Sequence, residues 1–433
     1  MAHTTSLDTW INDTTERRRA SPDLKTSFGK LALVGLLVVG ALFLWSWSLA
    51  NSETTEALKK SEAMPRFWHA YLIACCYVSS ISLGALFFVI VQYLAAARWG
   101  VVLRRLAEII AMGIGFCGLL FAVIWVFSIL AGSGDLYPWA GDSGPLALKN
   151  LQEPKQIWLN PPFFIGRQVF YFVVWFGLAR MFYRRSVAQD RASDNDVVAP
   201  LLWHSGWSMF VFAMTINFAS MDWMMTLNPT WFSTIFGVYY FAGCAVAFFA
   251  LLAVLISRLQ ARDILTHTIT TEHRHDIGKL LFGFVFFWGY IAFSQFLLIW
   301  YASIPEEVQW YAVRHIDPTM TGIGWATGLL FLFHLIIPFL GLLSRHVRRS
   351  KPALTFWGVY MLIMHWFDLY YIIAPEKQLN EWRYDLPTIV TYGGVMLGVG
   401  CMYVGVLLYI AAGNWLVPVR DPRLAASLSF QNH

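Results

Sequence analysis

The sequence predicts an all-α integral membrane protein with about ten transmembrane helices, and three observations support this class. Only 13% of the 433 residues are charged and 58% are hydrophobic, whereas soluble domains carry about 25% charged residues. Apolar residues come in runs of about 20, the length of helix that crosses a hydrocarbon core of about 30 Å. Strand-like alternation between short turns is absent, which argues against a barrel.

The apolar runs define ten spans, which we number 1 to 10 along the chain. They cover residues 29–50, 66–96, 102–131, 161–183, 200–221, 231–257, 278–302, 319–343, 353–374 and 387–413. The first 28 residues are polar and have neither an apolar run nor a cleavage site. No signal peptide is therefore expected.

The 31 Lys and Arg residues divide unequally between the two sides of the membrane. With the N-terminus in the cytoplasm, 22 of the 31 fall on the inner side and nine on the outer side, as the positive-inside rule requires. We expect a multi-pass protein of the bacterial inner membrane with both termini in the cytoplasm. The net charge of +5 follows from this asymmetry, so the lipid bilayer is an expected partner and nucleic acid is not.

The cysteines argue against a redox centre on this chain. All five lie inside spans and none belongs to a CxxC or ferredoxin-like pattern, so neither an iron–sulfur cluster nor covalent haem is expected. The cysteines are better interpreted as small, buried apolar residues. We expect the chain to bind no metal and no cofactor of its own.

An internal repeat divides the spans into two groups of four. Span 4 ends in FYRRS and span 8 in HVRRS, while spans 5 and 9 end in DWMMTLNP and DLYYIIAP, each with a proline seven residues after an aspartate. Because each repeat has an even number of spans, the two copies have the same orientation in the membrane. They are then related by an axis along the membrane normal. This predicts two four-helix bundles, with spans 1 and 10 peripheral.

The chain then has six parts. They are a cytoplasmic N-terminal segment (1–28), span 1 with an outer loop (29–65), the first bundle (66–229), the second bundle (230–375), an outer loop with span 10 (376–413), and a cytoplasmic tail (414–433).

Polar side chains within spans are the candidate functional residues, because each ionisable one costs roughly 2.5–3.5 kcal/mol on insertion and usually faces the bundle interior. They are His204, Ser208, Thr215 and Asp222 on span 5, Tyr290, Ser294 and Gln295 on span 7 with Glu306 beyond its end, His334 on span 8, and His365 and Asp368 on span 9. For Ser208, Thr215 and Ser294, simple interhelical hydrogen bonds are an equally good account. For His365 and Asp368, three residues apart on one helical face, we favour function.

Three chemistries suit such residues: proton transfer, hydrogen bonding to a quinone headgroup, and ligation of haem b. Haem b needs two ligands that face each other on paired helices, and no repeated His pair marks such helices, so it ranks lowest. The sequence leaves open whether His334 approaches His204 or His365. Glu108 lies four residues after Arg104 and is interpreted as a local ion-pair partner. Arg167 is interpreted as snorkelling towards the outer surface.

Three long stretches contain many of these residues. They are HDIGKLLFGFVFFWGYIAFSQFLLIWYASIPEE (275–307), MDWMMTLNPTWFSTIFGVYYFAG (221–243) and MHWFDLYYIIAPE (364–376). Together they resemble the ActF-type membrane subunit of bacterial alternative complex III, a quinol:electron-acceptor oxidoreductase, within the NrfD/PsrC-like family. The resemblance runs from about residue 29 to residue 413.

The resemblance implies a ten-helix fold with two four-helix bundles, in agreement with the repeat. It also implies partners: a paralogous NrfD-like subunit that oxidises the quinol, a periplasmic iron–sulfur protein, and c-type cytochromes that carry haem c. In that family the ActF-type chain is a candidate proton-conducting partner. We therefore predict one proton path from His365 and Asp368 past Ser294 and Gln295 to Glu306. The alternatives are a chain that itself binds quinol, and a secondary transporter.

Overall fold

The computed structural model describes residues 18–52, 57–132, 134–141, 146–191, 199–312, 314, 324–374 and 386–432. Within this part of the chain, nine helices are long and apolar enough to cross a membrane. They form spans 1 to 7, 9 and 10, with the bounds Leu24–Asn51, Glu62–Leu94, Val101–Leu130, Pro161–Gln189, Ala199–Leu227, Phe236–Gln260, Thr271–Ala302, Lys351–Ile373 and Leu386–Ala411. The protein is an all-α, multi-pass membrane protein in a lipid bilayer.

Span 8 differs from the other nine, because its described part is a shorter apolar helix, Thr327–Leu343. It begins as Gly324–Leu329, continues as a π-helix over Leu330–Ile336, and ends as Ile337–Leu343. Residues 319–323, which the sequence analysis includes in this span, lie outside the described residues. A π-turn is uncommon and frequently marks a functional site, and this one contains His334.

The helix neighbours follow the predicted repeat. Span 2 packs on span 3, span 3 on span 4, span 4 on span 5, and span 5 on span 2. Spans 6 to 9 pack in the same order. Between the two bundles, span 2 contacts span 6. Span 2 also contacts span 9 of the second bundle, and span 6 likewise contacts span 5 of the first bundle. This pattern fits an approximate twofold axis between spans 2 and 6. Spans 1 and 10 pack on each other and on span 2.

The closest approach between the bundles occurs at Gly84 of span 2. A Cβ atom at this position would lie 2.2 Å from the backbone oxygen of Cys244 on span 6. No side chain fits at that distance. Gly84 therefore allows the two central helices to pack backbone against backbone, in the way that small residues permit between membrane helices.

We call the side of the membrane at which span 1 begins the amino face, and the opposite side the far face. At the amino face, the segment before span 1 pairs with the segment after span 10. The backbone N–H of Ala20 donates to Asn414, and that of Leu416 donates to Arg18. The two ends of the described chain therefore lie on the same side of the membrane.

A buried ion network holds the chain after span 10 against the first bundle, also at the amino face. Glu108 contacts both Arg104, at 3.4 Å, and Arg105, at 3.1 Å, which confirms the predicted Arg104–Glu108 pair. Arg105 also binds Asp190 at 2.8 Å, and Arg104 binds Asp421. Burial alone would raise the pKa of Asp421, but the nearby positive charges, Arg104 first, outweigh it and hold this pKa below its ordinary value.

Candidate functional site

Asp368 is the centre of the site in the second bundle. It lies on span 9 and only 1% of its surface is exposed. The Tyr239 hydroxyl of span 6 donates to Oδ1, and the Trp288 indole N–H of span 7 donates to Oδ2 at 3.1 Å. Among the described residues, no Lys or Arg forms an ion pair with this carboxylate. Two neutral donors thus hold a buried carboxyl group whose charge, when it is ionised, has no partner.

His365 lies one turn before Asp368, and its hydrogen bonds indicate its tautomer. Ser80 of span 2 donates its hydroxyl proton to the backbone oxygen of Tyr77 at 2.7 Å, and its Oγ lies 2.8 Å from Nε2 of His365. With the Ser80 proton directed at Tyr77, Nε2–H of His365 donates to Oγ. In the neutral ring, Nδ1 is then an acceptor, and it has no partner among the described residues.

His334 joins the same cluster and not His204, which answers the question that the sequence leaves open. The ligand atoms of His334, His365 and Asp368 all lie within 4.8 Å of one another, and the three side chains are buried. The His334 ring lies against Trp288, with 3.7 Å between the ring centroids. Neither ring nitrogen of His334 has a hydrogen-bond partner among the described residues. We call His334, His365 and Asp368 the buried triad.

The packing around the triad leaves little free volume. A Cβ atom at Gly243 of span 6 would lie 3.0 Å from Cε1 and 3.3 Å from Nδ1 of His365. A glycine therefore lets span 6 approach the imidazole edge that carries the unpartnered nitrogen. Two nitrogens and a carboxylate oxygen are also atoms that a transition metal accepts, and their spacing would allow it. The expectation that this chain holds no metal stays a prediction.

The equivalent aspartate of the first bundle has different hydrogen-bond partners. Asp222 of span 5 accepts from Nε and Nη2 of Arg167 at 3.0 and 2.9 Å. It also accepts from Trp158, Gln168 and Tyr171, each at 3.1 Å. Arg167 also donates to the backbone oxygen of Trp158, before the start of span 4, at 2.8 Å, so its guanidinium is paired with Asp222 near the end of the span. Asp222 is a fully paired anion in a structural network.

The repeat shows that the buried triad belongs to one bundle only. The residue three before Asp368 is His365, whereas the residue three before Asp222 is Ala219. When spans 4 and 8 are aligned at their Arg-Arg-Ser ends, Phe170 aligns with His334, and Arg167 aligns with Phe331. At these equivalent positions, the first bundle thus has an arginine and no imidazole, and the second has two imidazoles and no arginine.

The remaining candidates on span 5 do not form a continuous path. Ser208 donates to the backbone oxygen of His204, and Thr215 donates to that of Val211, as hydroxyl groups inside helices often do. Thr215 also accepts from Trp175 at 2.8 Å. His204 is only half-buried and accepts from Trp207 on its own helix. Their contacts are those of structural hydrogen bonds, and a functional role for them stays a prediction.

Of the three candidate residues on span 7, only Gln295 faces the bundle interior. It accepts from Ser233 at 3.1 Å and donates to Tyr311 at 3.2 Å, and 3% of its surface is exposed. Tyr290 is exposed, Ser294 is half-buried, and Glu306 is exposed on the short helix Pro305–Ala312. The predicted path that joins these residues to Asp368 stays a prediction.

A cavity of about 360 Å³ lies between Gln295 and the triad. It is bounded by spans 7 and 8 and the short helix Pro305–Ala312, and Tyr239 and Trp288 form its wall on the side of Asp368. Its surface is almost entirely carbon. Below we call this space the lateral cavity.

Sequence reasoning missed three residues that complete the site: Ser80, Tyr239 and Trp288. Each lies within a stretch that reads as apolar or aromatic. One signal was available, because a buried carboxylate needs donors and Tyr and Trp are the aromatic residues that carry one. Which of the 18 Tyr and 21 Trp residues would supply it depends on helix packing and not on spacing.

No protein-family model matches the chain, and no curated protein has significant sequence similarity to it.

Proposed function

We propose that this chain is a membrane subunit of a quinol:electron-acceptor oxidoreductase of the alternative complex III type, in the bacterial inner membrane. In this proposal its second bundle takes up and releases a proton at Asp368 during turnover. The three stretches that resemble the ActF-type subunit support the assignment to the assembly. Its partners are then a paralogous quinol-oxidising subunit, a periplasmic iron–sulfur protein and c-type cytochromes, which carry the redox centres.

One observation carries the proton proposal: a buried carboxyl group with no cationic partner among the described residues lies beside unpartnered imidazole nitrogens. The two oxygens of Asp368 accept from the neutral donors Tyr239 and Trp288. Nδ1 of His365 and both nitrogens of His334 have no partner among the described residues. Leaving buried polar atoms unpaired is costly. One added proton supplies a further donor to this group and neutralises the carboxylate, and in our proposal the triad holds that proton in one state and loses it in another.

A route from the triad leads towards the centre of the molecule. His365 donates to Ser80, and Ser79 and Ser82 are also buried in the middle of span 2, the central helix. Ser82 in turn lies 2.7 Å from the Tyr403 hydroxyl of span 10. Hydroxyl groups both donate and accept, so they can pass a proton on. The predicted continuation past Gln295 to Glu306 is a second route and a separate proposal.

Asp368→Asn tests the proposal, because asparagine keeps the size and most of the hydrogen bonding but cannot exchange a proton. We expect the complex to assemble with all its haems and quinol-dependent turnover, or its coupled proton release, to fall by about a hundredfold or more, as for other lost acid–base groups. The matched control is Thr355→Val, which removes a hydroxyl group from the same span, ten residues before His365, and should leave turnover unchanged.

Two results would contradict the proposal. The first is unchanged turnover and unchanged proton stoichiometry in a fully assembled Asp368→Asn complex. The second is purification of the chain as a single protein without haem-containing partners, which would favour a transporter. A stoichiometric metal ion on the purified chain would replace the proton as the occupant of the triad.

A further inference from the structure

Six polar side chains on the wall of the lateral cavity are already hydrogen-bonded within the protein. Tyr239 and Trp288 donate to Asp368. Gln295 bonds Tyr311 and Ser233. The hydroxyls of Thr327 and Tyr371, also on the wall, lie 3.0 Å apart and bond each other. A ligand with a polar ring would therefore compete with an existing protein hydrogen bond at each of these six side chains.

The cavity is also an unfavourable place for water. A buried water needs two to four polar partners, and cavities lined by apolar side chains stay dry. At about 360 Å³, the space is nevertheless as large as cavities that hold an organic ligand, which begin at about 300 Å³. An occupant must therefore be apolar.

The rim of the cavity belongs to the lipid-facing surface. Phe293 of span 7 and Phe331 of span 8 line the cavity, and 49% and 50% of their surfaces are exposed. Beside them, a Cβ atom at Gly328 would meet nothing within 4 Å. Exposed apolar side chains in the middle of a membrane span face the hydrocarbon of the bilayer. The space is thus continuous with the region that lipid chains occupy.

We propose that the lateral cavity binds one hydrocarbon chain of a membrane phospholipid, which enters between spans 7 and 8 beside Phe293 and Phe331. The chain packs against the aromatic wall and keeps water away from Tyr239 and Trp288. Asp368 then exchanges its proton through His365 and Ser80. Binding of the chain follows from the cavity alone, and only its consequence for the proton rests on the proposed function.

Photolabelling of the purified complex tests the binding without any measurement of turnover. The complex is reconstituted in vesicles of phosphatidylethanolamine and phosphatidylglycerol, with a diazirine on an acyl chain of part of the phosphatidylglycerol. After illumination, mass spectrometry locates the label. We expect label on Trp288 and Leu335, which lie on the wall behind the rim, as well as on the exposed side chains of the spans.

The variant Ala292→Phe places a ring on the cavity wall. It should lower labelling of Trp288 and Leu335 by about tenfold, the change in occupancy that about 1.4 kcal/mol of affinity gives. Ala213→Phe adds the same ring to the exposed face of span 5 and should leave this labelling unchanged. If Ala292→Phe fails to assemble, Gly328→Leu fills the cavity from span 8 and makes the same prediction.

The proposal is overturned if label appears only on exposed side chains, which would show that no chain enters. It is equally overturned if a photoreactive quinone labels Trp288 and Leu335 and unlabelled phospholipid does not compete with it. Both results can be obtained whatever the effect of Asp368→Asn on turnover, so this proposal and the proton proposal can fail separately.

Discussion

Asp222 and Asp368 occupy equivalent positions in the repeat, yet their neighbours give them different chemistry. Arg167 forms two hydrogen bonds with Asp222 and neutralises it. Asp368 has only the neutral donors Tyr239 and Trp288. Pairing with a cation favours the charged form of a buried carboxyl group, whereas burial without one favours the neutral form.

The Arg167–Asp222 pair gives a prediction at this scale. Asp222→Asn should lower the free energy of unfolding by about 3 kcal/mol, because it leaves a buried guanidinium without its anion. Arg167→Gln should have a similar effect for the converse reason. Thermal unfolding of the purified protein in detergent measures both changes.

The double variant distinguishes a coupled pair from two separate contacts. If the residues act as a pair, Arg167→Gln with Asp222→Asn should cost less than the sum of the single changes. Strictly additive losses would show that Asp222 draws its stability from Trp158, Gln168 and Tyr171 instead.

At the scale of helices, the central contact between spans 2 and 6 depends on one missing side chain. Gly84→Ala puts a methyl group 2.2 Å from a backbone oxygen, so the helices must separate. We expect a loss of about 1–3 kcal/mol, as for other overpacked cores, and a lower melting temperature.

Gly40→Ala is the control, because a Cβ atom there meets nothing within 4 Å. Alanine is the better helix former, so this variant should be neutral or stabilise the protein by up to about 1 kcal/mol. Equal melting temperatures for Gly84→Ala and Gly40→Ala would contradict the close packing of the two spans.

The tail after span 10 is held to the first bundle by the buried pair of Asp421 and Arg104. Asp421→Asn should destabilise the protein by about 3 kcal/mol at neutral pH. Since the pKa of Asp421 is lowered in the folded state, its contribution is complete above the ordinary Asp pKa of about 3.9 and is lost as the pH falls through the lowered value. The difference in melting temperature between wild type and variant should therefore be constant from neutral pH to about pH 5 and narrow in stronger acid.

An ion pair with one solvent-exposed partner provides the comparison for this measurement. Asp276 lies 2.5 Å from Lys279, and their side chains are 11% and 44% exposed. Such pairs contribute about 0–1 kcal/mol, so Asp276→Asn should change the melting temperature little at any pH. A pH-independent difference for Asp421→Asn would refute its role as the charged partner of Arg104.

At the scale of the whole molecule, the two bundles share one packing pattern but differ in their interiors. The segments at the two ends of the described chain pair with each other, so these two segments lie on the same side of the membrane. From the excess of Lys and Arg we expect that side to be the cytoplasm. Reporter fusions at Met1 and His433, which lie outside the described residues, should both be read as cytoplasmic. A periplasmic signal from either fusion would contradict this topology.

The sequence by itself determined the membrane class, nine of the spans, the four-helix repeat and the choice of His365 and Asp368, because hydrophobic length, helical spacing and local similarity are properties of the chain. The tertiary structure decided which residues meet. It brought His334 to His365, supplied Ser80, Tyr239 and Trp288, and paired Arg167 with Asp222. These contacts join different spans, and their geometry depends on helix rotation, on the π-turn of span 8 and on close approaches at glycine. None of these is encoded in the spacing of residues along one helix.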